Sequence, residues 1–203
     1  LLSISGSWGA IHDTGELSYL ILVHLNGIDG TDPESLTKGE IEGRKAALEA
    51  IAALKEYMPG CSAGKLRNFG MTIGIRDTYK IDSEYNLSDE DVKNECRFED
   101  SIGIYPEFID GFGILVLPTT GRYIHIPYRS LLPKNIKGLL VVGRAIGGSN
   151  IAHAATRNMA CCTVTGQGAG VAAAEAIKTK TSLNSVNISN VQKLLGTQNV
   201  RVF

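Results

Sequence analysis

Gly138-Leu-Leu-Val-Val-Gly-Arg-Ala-Ile-Gly-Gly-Ser149 is the stretch on which the fold turns. Its four consecutive apolar residues, Leu139 to Val142, read as a strand buried on both faces, the pattern of a parallel sheet rather than a half-solvated antiparallel one. Gly143 ends the strand, and Arg144 to Ser149 leave its carboxyl end, where open α/β sheets place their ligands. Upstream, Pro133 to Gly138 reads as a turn. Downstream, residues 151 to 162 read as helical, and Thr165-Gly-Gln-Gly-Ala-Gly170 runs into the helical Val171 to Ile177. The expectation is a helix whose first turn is built from glycines. Such a turn admits a ligand close to the backbone and offers it unpaired amides and the positive end of a dipole, which suits an anion or a polar heterocycle. The same glycines, with Ala172 to Ala174, would equally let the helix pack tightly on a sheet, and glycine content does not choose between the two.

Working outward, Tyr19 to Leu25 reads as a buried strand and Asp29-Gly-Thr-Asp-Pro33 as a stack of turn formers. Thr37 and Glu40 fit a capping box, followed by Ile41, Leu48, Ile51, Ala52 and Leu54 at helical spacing, with Pro59-Gly60 as the stop. Gly70 to Arg76 reads as a strand, Ser88 as the start of a short acidic-ended helix, residues 101 to 128 as several short strands, and residues 188 to 195 as a last helix. No internal repeat is present, which excludes a solenoid.

The composition narrows the function classes. With 20 basic and 21 acidic residues and a net charge of −1, the chain has no footprint for gripping nucleic acid or an anionic membrane. Hydrophobic residues at 43% with 20% charged suit a folded globular protein. No apolar run approaches a membrane span. Cys61 and Cys96 stand alone, Cys161 and Cys162 are adjacent, and no CxxC pair exists, so no metal site is expected. The sequence begins at Leu1 without a signal-peptide pattern, which suggests processing, nicking or incomplete coverage, and sequons at Asn86 and Asn187 leave localisation open. Gly138 and Gly143 have P-loop spacing, yet Arg144-Ala145 replaces the residues that hold phosphate and magnesium. Gly166, Gly168 and Gly170 do not make GxGxxG, and no GxSxG or Ser, His, Asp constellation supports a hydrolase.

Read together, Ile126-Pro-Tyr-Arg-Ser-Leu-Leu-Pro133, Gly138 to Arg144, His153-Ala-Ala-Thr-Arg157 and Thr165 to Ala173 resemble the C-terminal end of FAD-dependent oxidoreductases with a glutathione-reductase-like flavin domain. Asp29 to Thr37, Glu40 to Arg44, Pro59-Gly60 and Gly74 to Thr78 look like successive upstream motifs of a bacterial-type branch, so the resemblance runs in order over residues 26 to 178. It implies an α/β fold, with residues 1–120 mostly a mixed α+β substrate-side region. Residues 121–180 would be the C-terminal part of an FAD/NAD(P)-binding Rossmann-type domain, and 181–203 a helical tail. It implies FAD as cofactor, with its pyrimidine edge and nearby phosphate met by Gly143, Arg144, Ala145, Thr165, Gly166, Gln167, Gly168 and Ala169. His153 and Arg157 resemble the His-x-x-x-Arg of the fumarate-reductase branch, where the arginine lies over the flavin and meets substrate, and their spacing of four puts both on one helical face. The GxGxxG turn and acidic residue that hold pyrophosphate and ribose are missing. The resemblance therefore implies a fragment or subunit completed by a chain carrying that turn, transferring hydride to or from a small molecule. The alternative is a non-catalytic structural protein, or one storing flavin as a pigment, that keeps the fold.

Overall fold

The computed structural model describes residues 4–7, 10–11, 13–15, 17–18, 21–111 and 114–203. The chain forms two compact units, Leu1–Thr78 and Tyr79–Phe203.

In the first unit, β1 (Ile4–Ser7) pairs antiparallel with β4 (Ile21–Val23), and β2 (Ala10–Ile11) pairs antiparallel with β3 (Leu17–Ser18). The strand expected from Tyr19 to Leu25 is thus realised at Ile21–Val23, while residues 19 and 20 lie outside the described residues. Helix α1 spans Pro33–Tyr57. Its cap is Asp32, whose carboxylate accepts from the amides of Glu34 at 3.3 Å and Ser35 at 2.9 Å, with proline at the first helical position. The capping box expected at Thr37 and Glu40 is corrected accordingly, because the helix is already under way there. Thr37 Oγ1 donates back to the Pro33 carbonyl at 2.8 Å, and Glu40 Oε1 accepts from the amide of Ile73 at 2.7 Å. That contact also corrects the strand expected at residues 70–76, which form no ladder.

The second unit opens with α2 (Asp89–Lys93), started by the expected Ser88. Ser88 Oγ accepts from the Asp91 amide at 3.1 Å and Asp91 Oδ2 accepts from the Ser88 amide at 2.8 Å, a complete capping box. The short strands also form. Strand β5 (Ser101–Pro106) pairs antiparallel with β8 (Tyr123–Pro127), and β6 (Ile109–Gly111) pairs antiparallel with β7 (Ile114–Val116). The β5–β8 ladder runs across residue 120, where the sequence reading placed a boundary. Helices α3 (Asn150–Thr156), α4 (Met159–Thr179) and α5 (Ile188–Thr197) follow. Ile102, Ile126, Leu131, Val191 and Leu195 lie fully inside, in a core that collects residues of β5, β8, α4 and α5. Helix α4 lies so close to β5 that a Cβ on Gly168 would meet Ile102 Cδ1 at 2.6 Å.

Two expectations about this unit need correction. Leu139 to Val142 are not part of a parallel sheet: the described residues form only two-stranded antiparallel sheets, and Leu139 and Val142 are exposed. A strand apolar on both faces needs flanking strands and covering layers, and none of the described residues provides them. Helix α4 begins at Met159, so Thr165 to Gly170 are its second and third turns and not its first.

Candidate functional site

The segment that resembles the flavin edge is assembled around the start of α4. Helix α3, capped by Ser149 Oγ on the Ala152 amide at 3.2 Å, ends at Arg157, and the extended Asn158 (ψ 144°) separates it from α4. Asn158 does not cap α4 with its side chain. Its Nδ2 instead donates to the carbonyls of Ala155 at 2.9 Å, Ala154 at 3.3 Å and Phe108 at 3.4 Å. The amides of Met159, Ala160 and Cys161 therefore meet no acceptor among the described residues.

Gly143 and Arg144 sit beside this first turn. The buried Thr165 hydroxyl accepts from the Gly143 amide at 3.0 Å and donates to the Cys162 carbonyl at 2.9 Å, tying the loop to the helix. A Cβ on Gly143 would lie 3.7 Å from Cys162 Sγ. Burial pushes the Cys162 thiol up while the Arg144 cation pulls it down, so Arg144 is felt at the helix start. Arg144 itself is exposed, and the Ala145 carbonyl accepts from the Ile81 amide at 3.0 Å. Cys161 is buried and its thiol is also pushed up; both cysteines are free.

The structure thus brings Gly143, Arg144, Ala145 and Thr165 to one place and separates the rest. The amides of Gly166, Gln167, Gly168 and Ala169 lie inside α4 and are spent on its own ladder, which removes the reason for assigning them to a ligand through their backbone. Gly168 faces Ile102, whereas a Cβ on Gly166 or Gly170 would meet nothing within 4 Å. Gly147, which the sequence reading left out, is the most tightly enclosed: a Cβ there would lie 1.9 Å from Ser83 Oγ.

His153 and Arg157 share α3, but their side chains are differently engaged. His153 is buried at 3% exposure. Arg157 wraps the end of β6: Nε donates to the Asp110 carbonyl at 3.2 Å, Nη2 donates to the same oxygen, and Nη2 pairs with Asp110 Oδ2 at 2.8 Å. Asp110, 47 residues upstream of Arg157, is the partner of that guanidinium, and no sequence signal marked it. A shallow, solvent-open cleft of about 530 Å³ is lined by Lys80, Asp82, Asn86, Leu87, Gly148 and Ser149, and it includes neither His153 nor Arg157. No group of three or more His, Cys, Asp and Glu that could hold a metal ion occurs among the described residues.

A cluster of three free amides at a helix N-terminus with an arginine beside it stabilises an electron-rich ring edge or a phosphate. The donor set fits the pyrimidine edge of a flavin; a cradle for the pyrophosphate is not found among the described residues. No curated protein and no solved structure matches the chain. A model of the FAD dependent oxidoreductase family does, over residues 10–195. The match takes in both units and the whole of the α3–α4 corner, and by it this chain belongs to the FAD-dependent oxidoreductases.

Proposed function

We propose that this chain contributes the flavin-edge and substrate-side portion of an FAD-dependent oxidoreductase acting on a small molecule. In this reading a partner chain or fragment bearing the GxGxxG turn holds the pyrophosphate and ribose. Residues 121–180 then complete the flavin domain, and residues 1–120 form most of the substrate side. The observation that carries the reading is the start of α4, where three unpaired amides and the Arg144 charge converge. When bound, FAD supplies the ring that accepts or donates the hydride. Arg144 and the amides of Met159, Ala160 and Cys161 stabilise the negative charge that gathers at the ring's pyrimidine edge on reduction. Thr165 holds Gly143 against the helix and so fixes where Arg144 starts. Arg157, at the same corner, is the residue placed to meet an anionic substrate, and the buried His153 sets the helix from which it projects.

Arg157 bound to Asp110 favours a second reading, in which the fold is kept for a structural or flavin-storing role without turnover. One experiment separates the two. The chain is titrated with FAD alone and together with any copurifying polypeptide, and the flavin spectrum is followed through reduction and re-exposure to air. Weak binding by the chain alone, with flavin in the assembly that bleaches and recovers and is diminished by Arg144→Ala, is the expected result. Tight binding by the chain alone would remove the partner from the proposal, an assembly without flavin would remove the proposal itself, and bound flavin that no reductant bleaches would leave the storage role.

A further inference from the structure

We propose that His125 works as a proton-operated latch on the segment Arg201–Phe203, which lies against β8 while the imidazole is neutral and lifts away when the imidazole takes up a proton. The segment is held by its side chains. Helix α5 closes with a left-handed Asn199 (φ 61°), whose amide donates to the Gly196 carbonyl at 3.0 Å, and the Val200 amide donates to the Leu195 carbonyl at 3.0 Å. Beyond Val200, no backbone group of Arg201, Val202 or Phe203 bonds to another element among the described residues. Arg201 Nε donates to the Phe203 carbonyl at 2.8 Å, within the segment itself. Three contacts fasten it down: Val202 packs against the buried cluster, the Arg201 guanidinium sits 5.1 Å from the centre of the Tyr123 ring, and the Phe203 ring centre lies 5.8 Å from that of His125.

His125 is where this hold can be broken. Its ring is buried, stacked on Tyr123 at 6.1 Å and met by Phe203, which is itself 54% exposed and faces solvent. In the neutral ring Nδ1 accepts from the Phe98 amide at 3.2 Å, so the proton sits on Nε2, which meets no acceptor among the described residues. A second proton would land on Nδ1, directly against that amide N–H. The charges around the ring add to the cost: Arg97 from the stretch before β5 and Arg201 from the segment are both cations, while β8 supplies the Tyr123 ring and β5 the apolar Ile104 opposite. Glu95, the carboxylate of this cluster, is already spent on Arg97 at 3.4 Å and Arg122 at 3.1 Å. The Phe98 carbonyl favours the charged ring, but it already accepts from the Ser101 amide at 3.1 Å, and burial with the two cations outweighs it. Tyr123 is fixed in the β5–β8 ladder and Phe98 by its bond from Ser101, whereas Arg201 and Phe203 have no ladder. Moving the segment therefore relieves the charged ring with the least loss, since it takes Arg201 away and admits water to the ring nitrogens. Lifted, His125 titrates in water near its ordinary 6.5, and closed it is held lower, so the segment is closed above pH 6.5 and opens as the pH falls below it.

The test follows the full chain by NMR between pH 7.5 and pH 5, with valine methyl groups and histidine rings isotope-labelled. Val202 reports the segment, the fully buried Val191 of α5 reports the fold, and the His125 ring signal reports the proton. The expected result is a Val202 methyl that moves toward the shift of a solvated valine with the same midpoint as His125, below 6.5, while Val191 stays in place. The open-to-closed ratio should rise by up to about tenfold for each unit of pH, the limit for one proton. His125→Asn keeps an acceptor for the Phe98 amide and takes up no proton, so its Val202 signal should hold still across the range. Proton uptake by His125 with Val202 unmoved overturns the proposal, and so does Val202 moving only together with Val191, which would be unfolding of the whole unit. Movement of Val202 in His125→Asn at the wild-type midpoint would also overturn it, by placing the proton on another group. The first two readings need only the wild-type chain and stand even if the variant does not fold.

Discussion

Gly168 and Gly166, two residues apart on α4, answer to different constraints. A methyl group on Gly168 would press into Ile102, with its Cβ 2.8 Å from the new atom, a part of the side chain that cannot swing aside. Gly168→Ala is therefore expected to destabilise the chain by about 1–3 kcal/mol through overpacking. At Gly166 and Gly170 the space is open, and removing glycine's backbone freedom inside a helix should stabilise each variant by about 0.5–1 kcal/mol. Urea denaturation midpoints of the three variants check the sign at each position. The glycine-rich run was legible as either a packing device or a ligand approach, and the structure assigns only Gly168 to packing against the sheet. Nothing in the residue order could separate these roles, because the strand that Gly168 meets lies more than sixty positions away. Asp110 was hidden for the same reason, while Ser88 with Asp91 was readable because the whole device fits within four residues.

Among the elements, those that close locally could be read and those that depend on distant support could not. The short strands at 101–128, the Ser88 helix and the last helix all formed where expected. The start of α4 was misplaced because Asn158 spends its amide on carbonyls rather than on capping, leaving Met159-Ala-Cys-Cys without a recognisable signal. For α1 the signal existed in Asp32-Pro33, a cap followed by proline, but it lies among turn formers that read the same way. Leu139 to Val142 has the composition of a strand and lacks the neighbours that would make it one. The β5–β8 ladder carries an element-level prediction through His125, which lies in it at 3% exposure with Nδ1 accepting from the Phe98 amide at 3.2 Å. Burial, assisted by the Arg97 and Arg201 charges, holds this imidazole below its ordinary 6.5. Below pH 6.5 the unfolded chain takes up a proton that the native chain refuses, so the His125 contribution is complete above 6.5 and declines as the pH falls toward the lowered native value. Denaturation midpoints measured between pH 7.5 and pH 5 should show this decline, and His125→Asn, which keeps an acceptor for Phe98, should flatten it.

The whole molecule is uneven in how firmly it is built. Among the described residues the buried cluster lies within Tyr79–Phe203, whereas α1 in the other unit buries only Gly39 and Ala50 and leaves Ile41, Leu48 and Tyr57 exposed. Local opening follows the density of buried apolar contacts, so native-state amide exchange should be fast along α1 and slow in β5 and α5, with a difference of about tenfold or more. Comparable protection in all three would show that the first unit is held by interactions beyond its own side chains. The division at Thr78 was not legible in the sequence, because Gly74 to Tyr79 has neither the proline content nor the charge run that marks a linker.

The hold of Asp110 on Arg157 has a consequence for any anion that this corner receives. A cation already wrapped around a carboxylate is not a vacant receptor, and an incoming anion enters by exchange, with Asp110 as the resident competitor. Apparent affinity then measures the difference between two carboxylate-like partners rather than the strength of either. Weak anions are turned away, while one that offers the guanidinium a better fork displaces Asp110 and frees the end of β6 in the same event. Asp110→Asn removes the competing charge but leaves its backbone carbonyl, so this corner would lose its selectivity before it lost its shape.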